Sequence, residues 1–265
     1  MTIRLVHLSD VHFGAEDREA SESAVVMAHS FSPDAVIVSG DVTAAGRPRE
    51  FRQAQTWLAR LPSPRFVTPG NHDVPYWNLP LRIFAPFARY HRFIGPVSVT
   101  AINLPGLAVR GVNTSRGAQF RSDWSKGAVN LDALRQSALE LKAAATALKV
   151  LVCHHPLIEA RPTVMTGGVY RAAAASVLLA QAGIDLILTG HVHDPFAVSL
   201  QPQGGRTYAI GAGTLSLRSR GAPPSYSTIE ADALSIKIQA WGWTGSDFEP
   251  FKAWLLPRRN YRNNP

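Results

Sequence analysis

The sequence predicts an α/β fold, a mixed β-sheet flanked by helices, in a form that also admits two sheets packed together. Three observations carry this. Apolar, strand-like runs alternate with helical patterns as far as His193, and three of them end at Asp10, Asp41 and Asn71, separated by 31 and 30 residues. That interval is the length of a βαβ unit, whose crossover returns each strand parallel to the last. Beyond His193 the pattern changes to short alternating runs that predict antiparallel β. With 265 residues, 46% of them hydrophobic and 17% charged, the chain can build one large core, and no break in composition divides it.

Residues 3–9 read as a buried strand ending at Ser9-Asp10, and 16–30 as a helix. A second strand, 34–39, has Ala-Val-Ile-Val at its centre and stops at Gly40-Asp41. Over 47–61, Phe51, Ala54, Trp57, Leu58 and Leu61 recur at helical spacing, and strand 65–68 leads into Gly70-Asn71-His72-Asp73. Residues 76–96 interleave Tyr76, Trp77, Phe84, Phe87, Tyr90 and Phe93 with Arg82, Arg89, His91 and Arg92. This predicts an amphipathic helix with an aromatic core stripe and a basic solvent face. Residues 97–102 and 107–112 form a hairpin about Pro105-Gly106, and 130–148 is an Ala- and Leu-rich helix capped by Asn130. Strand 149–153 delivers His154; helix 169–182 and strand 185–189 deliver Gly190-His191-Val192-His193. Strands 196–200 and 207–210 flank a turn at Gly204-Gly205, and 225–230 and 234–243 follow.

Parallel strands put their C-terminal ends on one edge, where ligands of open α/β sheets bind. Five strand ends here carry carboxylate, imidazole or amide groups: Asp10-Val11-His12, Gly40-Asp41, Gly70-Asn71-His72-Asp73, His154-His155-Pro156 and Gly190-His191-Val192-His193. A lone histidine at a strand end is usually a hydrogen-bonded structural group. Five such ends in order, offering nitrogen and oxygen donors to one edge, predict a metal site. Asp10 with His12, and His191 with His193, stand two apart and project to the same side. The donor set lacks thiolate and suits Mn, Fe, Zn or Co. The single cysteine, Cys153, rules out an intramolecular disulfide and should face the core, opposite His154. His7 is offset by three from Asp10 and faces the other side; with His29 and His91 it reads as structural or surface.

A net charge of +8 and a pI near 10.1 attract anions, among them nucleic acid, phosphorylated metabolites and acidic membrane surfaces. The basic residues are spread out, apart from Arg258-Arg259-Asn260-Tyr261-Arg262. That cluster reads as a solvated tail, 258–265, beyond a single domain at 1–257. Residues 1–6 run straight into a strand without a secretory pattern, and no apolar run reaches the roughly 18 residues that span a bilayer. The expectation is a cytoplasmic protein.

Taken together, the five motifs resemble the full set of the calcineurin-like metallophosphoesterases. Thr43, Glu50-Phe51, Trp57-Leu58 and Val74-Pro75-Tyr76 look closest to the branch of bacterial class III cyclic-nucleotide phosphodiesterases. The resemblance implies a four-layer α/β/β/α sandwich of two mixed sheets flanked by helices. It also implies two divalent metal ions, one bound by Asp10, His12, Asp41 and His193, the other by Asp41, Asn71, His154 and His191. His72 would contact the phosphoryl oxygen and assist the leaving alkoxide, with Asp73 orienting it. Asn71, His72, His155 and His193 would contact substrate, although His155 serves equally well as a loop-orienting residue. The function implied is hydrolysis of a small phosphodiester, a cyclic nucleotide or glycerophosphodiester, by in-line attack of a metal-bound hydroxide. Alternatives are a nuclease, a pyrophosphatase acting on nucleotide- or lipid-linked diphosphates, and a non-catalytic scaffold. Little of the chain lies outside the catalytic core to grip a duplex, and a scaffold should have lost ligands, whereas none is missing. Arg116, Arg121, Arg161 and Arg171 lie near the predicted site edge as candidates for pairing with substrate phosphate; a homodimer is left open.

Overall fold

The computed structural model describes residues 1–97, 101–144, 148–158, 168–200 and 206–258. Strands β1 (Ile3–Leu8), β2 (Ala35–Val38) and β3 (Arg65–Val67) are joined by helices α1 (Arg18–Phe31) and α2 (Pro48–Arg60), and pair in parallel as the motif spacing requires. Two short helices follow, α3 (Leu79–Phe84) and α4 (Ala88–Phe93), and then the hairpin β4 (Ala101–Leu104) and β5 (Leu107–Gly111). Helix α5 (Leu131–Ala143) leads to β6 (Leu148–Val152), and α6 (Ala172–Gln181) to β7 (Leu186–Thr189). The chain closes with β8 (Phe196–Ser199), β9 (Tyr208–Gly211), β10 (Ser225–Ala231), β11 (Ser235–Trp243) and β12 (Phe248–Pro257). These strands make two six-stranded mixed sheets, ordered β12-β11-β10-β1-β2-β3 and β4-β5-β6-β7-β9-β8.

Side-chain alternation assigns the layers. Along β1 and β2, Leu5 and Ile37 face Val109, Val150, Val152, Leu188 and Ile210 of the second sheet. Val6, Leu8, Val36 and Val38 point the other way, onto Ala20, Ala24, Phe51, Ala54 and Trp57 of α1 and α2. In the second sheet Leu151 and Ile187 turn outward to Leu134, Ala138, Leu141, Ala175 and Leu179 of α5 and α6. The result is an α/β/β/α sandwich. Each fully buried leucine, isoleucine or phenylalanine contributes about 1.5–3 kcal/mol to it. Local chemistry starts the helices where the sequence indicates. Asp17 accepts from Ala20 N at 3.0 Å, Pro48 opens α2, and Asn130 accepts from Asp132 N and Ala133 N at 3.1 and 3.2 Å.

Some expectations are corrected. Residues 76–96 form two helices rather than one, because Pro86 lacks an N–H and cannot continue α3. Their aromatic stripe is only partly core: Tyr90 is buried and Phe93 stacks on Phe51 at 6.0 Å, but Trp77 and Phe84 are 79% and 86% exposed. Arg82, expected on the solvent face, is buried and donates through Nε to Gly117 O at 2.7 Å. The helix predicted to reach 148 ends at Ala143, and Leu148 already opens β6. Strand β12, which the sequence reading did not contain, lies at a sheet edge where Pro250 and Pro257 are tolerated. Arg258 is buried 3.8 Å from Asp185 rather than solvated. The rest of the basic cluster, the turn at Gly204-Gly205, Arg161, and the stretches 98–100 and 145–147 of the predicted strand and helix lie outside the described residues. No helix among the described residues is long and apolar enough to cross a membrane.

Candidate metal centre

The loops leaving β1, β2, β3, β6 and β7 meet at one edge. Their backbone is bent sharply there: Asp10, His12, Asp41, His191 and His193 have φ of 53°, 52°, 50°, 72° and 63°, in the left-handed region that side chains avoid. Each such residue costs on the order of 1–3 kcal/mol and persists only where its surroundings hold it. Asp10 N and His12 N donate to Gly40 O and Asp41 O, both at 3.0 Å. Asp10 Oδ2 accepts from His191 N at 2.9 Å, and Asp41 Oδ1 from His72 N at 2.7 Å. Each carboxylate thus fixes the backbone of a neighbouring loop with one oxygen and keeps the other for the centre.

What meets in the centre is a set of acceptors. His12, His154 and His193 each direct Nδ1 at a backbone carbonyl, that of Thr43 at 3.3 Å, Ser39 at 2.8 Å and Arg218 at 2.7 Å. A carbonyl only accepts, so Nδ1 carries the ring proton and Nε2 presents a lone pair. Those lone pairs converge. His12 Nε2 lies 3.2 Å from His193 Nε2, and His193 Nε2 lies 3.1 Å from Asp10 Oδ1. His154 Nε2 lies 3.2 Å from both Asp41 Oδ2 and Asn71 Oδ1, and His191 Nδ1 lies 3.1 Å from Asn71 Oδ1. Asp41 Oδ2 is buried without a hydrogen-bond partner among the described residues. All seven side chains are at most 5% exposed, so water does not screen them. Facing lone pairs at this distance need a positive charge between them, and the donors fit divalent cations. Among the described residues, four triads able to hold a metal have donor atoms within 4.8 Å: Asp10-His12-His193, Asp10-Asp41-His154, His12-Asp41-His72 and His154-His155-His191.

The electrostatics of these residues show the same demand for positive charge. Burial works against charge on His154, but Asp41 and Asp10 outweigh it and raise the ring to about 9, so that without a cation a proton on Nε2 takes the place beside Asp41 Oδ2, and a bound cation would have to displace it. Burial likewise disfavours the Asp10 carboxylate, yet His193, His12 and His154 hold it well below the usual range. His191, lowered to about 3 by burial and then by His154, is neutral.

The other expected site residues surround this group. His72 donates Nδ1–H to Ala44 O at 2.7 Å, stacks on Tyr76 at 5.1 Å and meets His12 edge-on at 4.8 Å. Burial lowers it to about 4 despite Asp41. Asp73 points away from the centre. Its buried carboxylate accepts from Gly70 N, Thr43 N and Thr43 Oγ1, each at 2.8 Å, and locks the turn to the loop after β2. His155 has both ring nitrogens engaged, with Thr114 Oγ1 and Ser125 O at 2.8 Å. These bonds tie the strand end after β6 to the loops that carry Thr114 and Ser125. His7, on the far face of β1, bonds Ser39 Oγ at 2.9 Å, and Cys153 lies in the core with its thiol pushed up to about 12 by burial. Arg116 and Arg121 donate to loop carbonyls, and Arg171 lies over the Tyr170 ring.

Sequence reasoning missed the loop after β9. Thr214 Oγ1 donates to Asp10 O at 2.6 Å, Arg220 Nη1 donates to His191 O at 3.1 Å, and Arg218 Nη1 lies 3.1 and 3.2 Å from the two ring nitrogens of His72. The only signal was the small-residue run Gly211-Ala212-Gly213-Thr214 after a strand, which reads as an ordinary turn.

The calcineurin-like phosphoesterase family model matches residues 3–195, most of the chain and all five motifs. The chain belongs to the calcineurin-like phosphoesterases. The chain is 39% identical over 80 residues to the glycerophosphodiester phosphodiesterase GpdQ of Enterobacter lignolyticus, a match covering 26% of the chain and 29% of that protein. It is 26% identical over 84 residues to a probable cyclic nucleotide phosphodiesterase of Synechococcus sp., covering 28% of the chain and 33% of that protein. The chain therefore spans about a third of the curated relatives it matches. Among solved structures, the purple acid phosphatase PPD1 of yellow lupin, Lupinus luteus, superposes with a TM-score of 0.65 at 13% identity, over 99% of this chain and 55% of that one. That likeness establishes the shared sandwich fold.

Proposed function

We propose that this phosphoesterase hydrolyses small phosphodiesters using two divalent cations, one held by Asp10, His12, Asp41 and His193 and the other by Asp41, Asn71, His154 and His191. One observation carries the reading: the acceptors His12 Nε2 and His193 Nε2, 3.2 Å apart, converge beside Asp41 Oδ2, which has no hydrogen-bond partner among the described residues. When bound, such cations supply Lewis acidity toward phosphoryl oxygens and a nucleophile at neutral pH. Asp10 and Asp41 are the only carboxylates in the proposed ligand set, so two divalent cations leave it electropositive and attractive to a phosphate ester. Asn71 adds a neutral oxygen between His154 and His191. His72 stands beside the centre with Nδ1–H committed to Ala44 O, and would assist the leaving alkoxide in the minor fraction of molecules whose Nε2 has taken up a proton. Asp73 keeps the His72 turn in register with the β2 loop.

The two curated relatives are both named as phosphodiesterases, which supports a diester over a monoester. With Mn supplied, the protein is expected to hydrolyse bis(p-nitrophenyl) phosphate, and glycerophosphoethanolamine or a 3′,5′-cyclic nucleotide, faster than p-nitrophenyl phosphate. A strong monoester preference, or no hydrolysis of any diester, contradicts the proposal. Because the chain carries a net charge of +8, single-stranded DNA belongs in the same panel. Strand cleavage with steeply salt-dependent affinity would replace the small-substrate reading with a nuclease.

A further inference from the structure

We propose that Arg218 is a substrate-phosphate ligand, its guanidinium donating to a non-bridging oxygen of the phosphodiester on the His72 side of the centre. The assignment rests on the functional reading above and deepens it. The loop that carries Arg218 is keyed to the metal-centre residues. Thr214 Oγ1 holds Asp10 O, Ser216 Oγ accepts from Arg218 N at 3.3 Å, and Arg218 O accepts from His193 Nδ1 at 2.7 Å. A backbone fixed in this way aims the side chain at His72, where Nη1 lies 3.1 Å from Nδ1 and 3.2 Å from Nε2.

Two features make this guanidinium a receiver of anions. First, it is half-buried, and no carboxylate pairs with it among the described residues, whereas Arg60 has Glu22 and Arg110 has Glu140. A guanidinium carries five N–H donors in a planar fork suited to phosphate oxygens, and the imidazole can accept only one of them here. Second, the ring N–H that the geometry fixes on the neighbouring imidazole, at Nδ1, goes to Ala44 O and not to the substrate. The fixed N–H groups that this corner can turn to a phosphate oxygen therefore come from Arg218. Arg220, whose Nη1 is bound to His191 O, puts a second positive charge on the same loop.

The competing role is purely internal: Arg218 could do no more than hold the His72 ring. The two roles separate on binding of inorganic phosphate to the Mn-loaded protein, followed by titration calorimetry in wild type, Arg218→Ala, Arg218→Lys, His72→Ala and the Arg218→Ala/His72→Ala double variant. Arg218→Ala is expected to weaken phosphate binding about ten- to a hundredfold, the range for a hydrogen bond to a charged group. Arg218→Lys should restore part of that loss, with Mn content and thermal midpoint at wild-type values in both. The double variant should bind phosphate more weakly than His72→Ala alone by a similar factor. Unchanged affinity in Arg218→Ala, or no further loss in the His72→Ala background, overturns the assignment. If wild type hydrolyses diesters while Arg218→Ala binds phosphate normally, the assignment alone fails. If wild type neither binds phosphate nor cleaves a diester, the functional reading falls and takes the assignment with it.

Discussion

His7 and Asp10 sit three residues apart on and just beyond β1, and burial acts on them with opposite results. Asp10 keeps its charge among histidines, while His7, bonded to Ser39 Oγ with Nδ1 unpartnered, is held down to about 3, chiefly by burial and against the pull of Asp10. The unfolded chain takes up this proton below about pH 6.5 and the folded chain refuses it until about pH 3. His7 therefore has no effect on stability above pH 6.5 and lowers it as pH falls from there, by up to about 1.4 kcal/mol per pH unit. Urea unfolding at pH 7.5, 5.5 and 4.5 should show a shallower acid loss in His7→Gln than in wild type; equal slopes would mean that His7 titrates normally in the fold. At His72 the expectation concerns rate. His72→Ala should lose about a hundredfold in kcat on bis(p-nitrophenyl) phosphate while keeping its metal, and unchanged turnover would remove it from the mechanism. The seven converging side chains were legible because strand-end spacing is a local property of the sequence. Arg218 was not, because its contact with His72 joins residues 146 positions apart through a loop with no periodic signal.

Strand ends are the elements that build the centre, and glycines make their close approach feasible. A Cβ on Gly70 would overlap Asp41 Oδ1 and Asp41 N, and one on Gly190 would overlap Ser9 Oγ and Asp10 Oδ2. Gly190→Ala should push the Asp10 carboxylate aside, destabilise the fold by about 1–3 kcal/mol and lower metal affinity, as read by thermal melts and metal titration. A variant with wild-type melting and metal affinity would show that the loop has room after all. Among the other elements, those with local instructions were legible. Asn130 capped α5 as its side chain allows, and the apolar runs of β2 and β7 became fully buried strands. The single helix over 76–96 was a misreading of aromatic spacing that overlooked Pro86. Strand β12 was hidden by its two prolines and by its half-exposed edge position, where burial does not impose a clean apolar alternation.

Across the whole molecule, two sheets bring loops from both to one edge, so that Asp10, Asp41 and Asn71 of the first sheet's loops face His154, His191 and His193 of the second. Periodicity alone could not assign this. Leu5 and Val6 are adjacent and both fully buried, one between the sheets and one under the helices, and only the packing of the second sheet distinguishes their faces. The four layers were therefore legible through the motif resemblance, and the βαβ half through spacing. A centre drawn from both sheets also ties cation binding to the stability of the sandwich. At a hundredfold excess over its Kd, each of the proposed cations would add about 2.7 kcal/mol to the folded state. The most direct measurement is the Mn stoichiometry of metal-stripped protein, by titration calorimetry and elemental analysis, in wild type and Asp41→Ala. The expected result is two equivalents per chain in wild type and loss of both tight sites in Asp41→Ala. One equivalent or none in wild type, or two tight sites surviving without the Asp41 carboxylate, would contradict it.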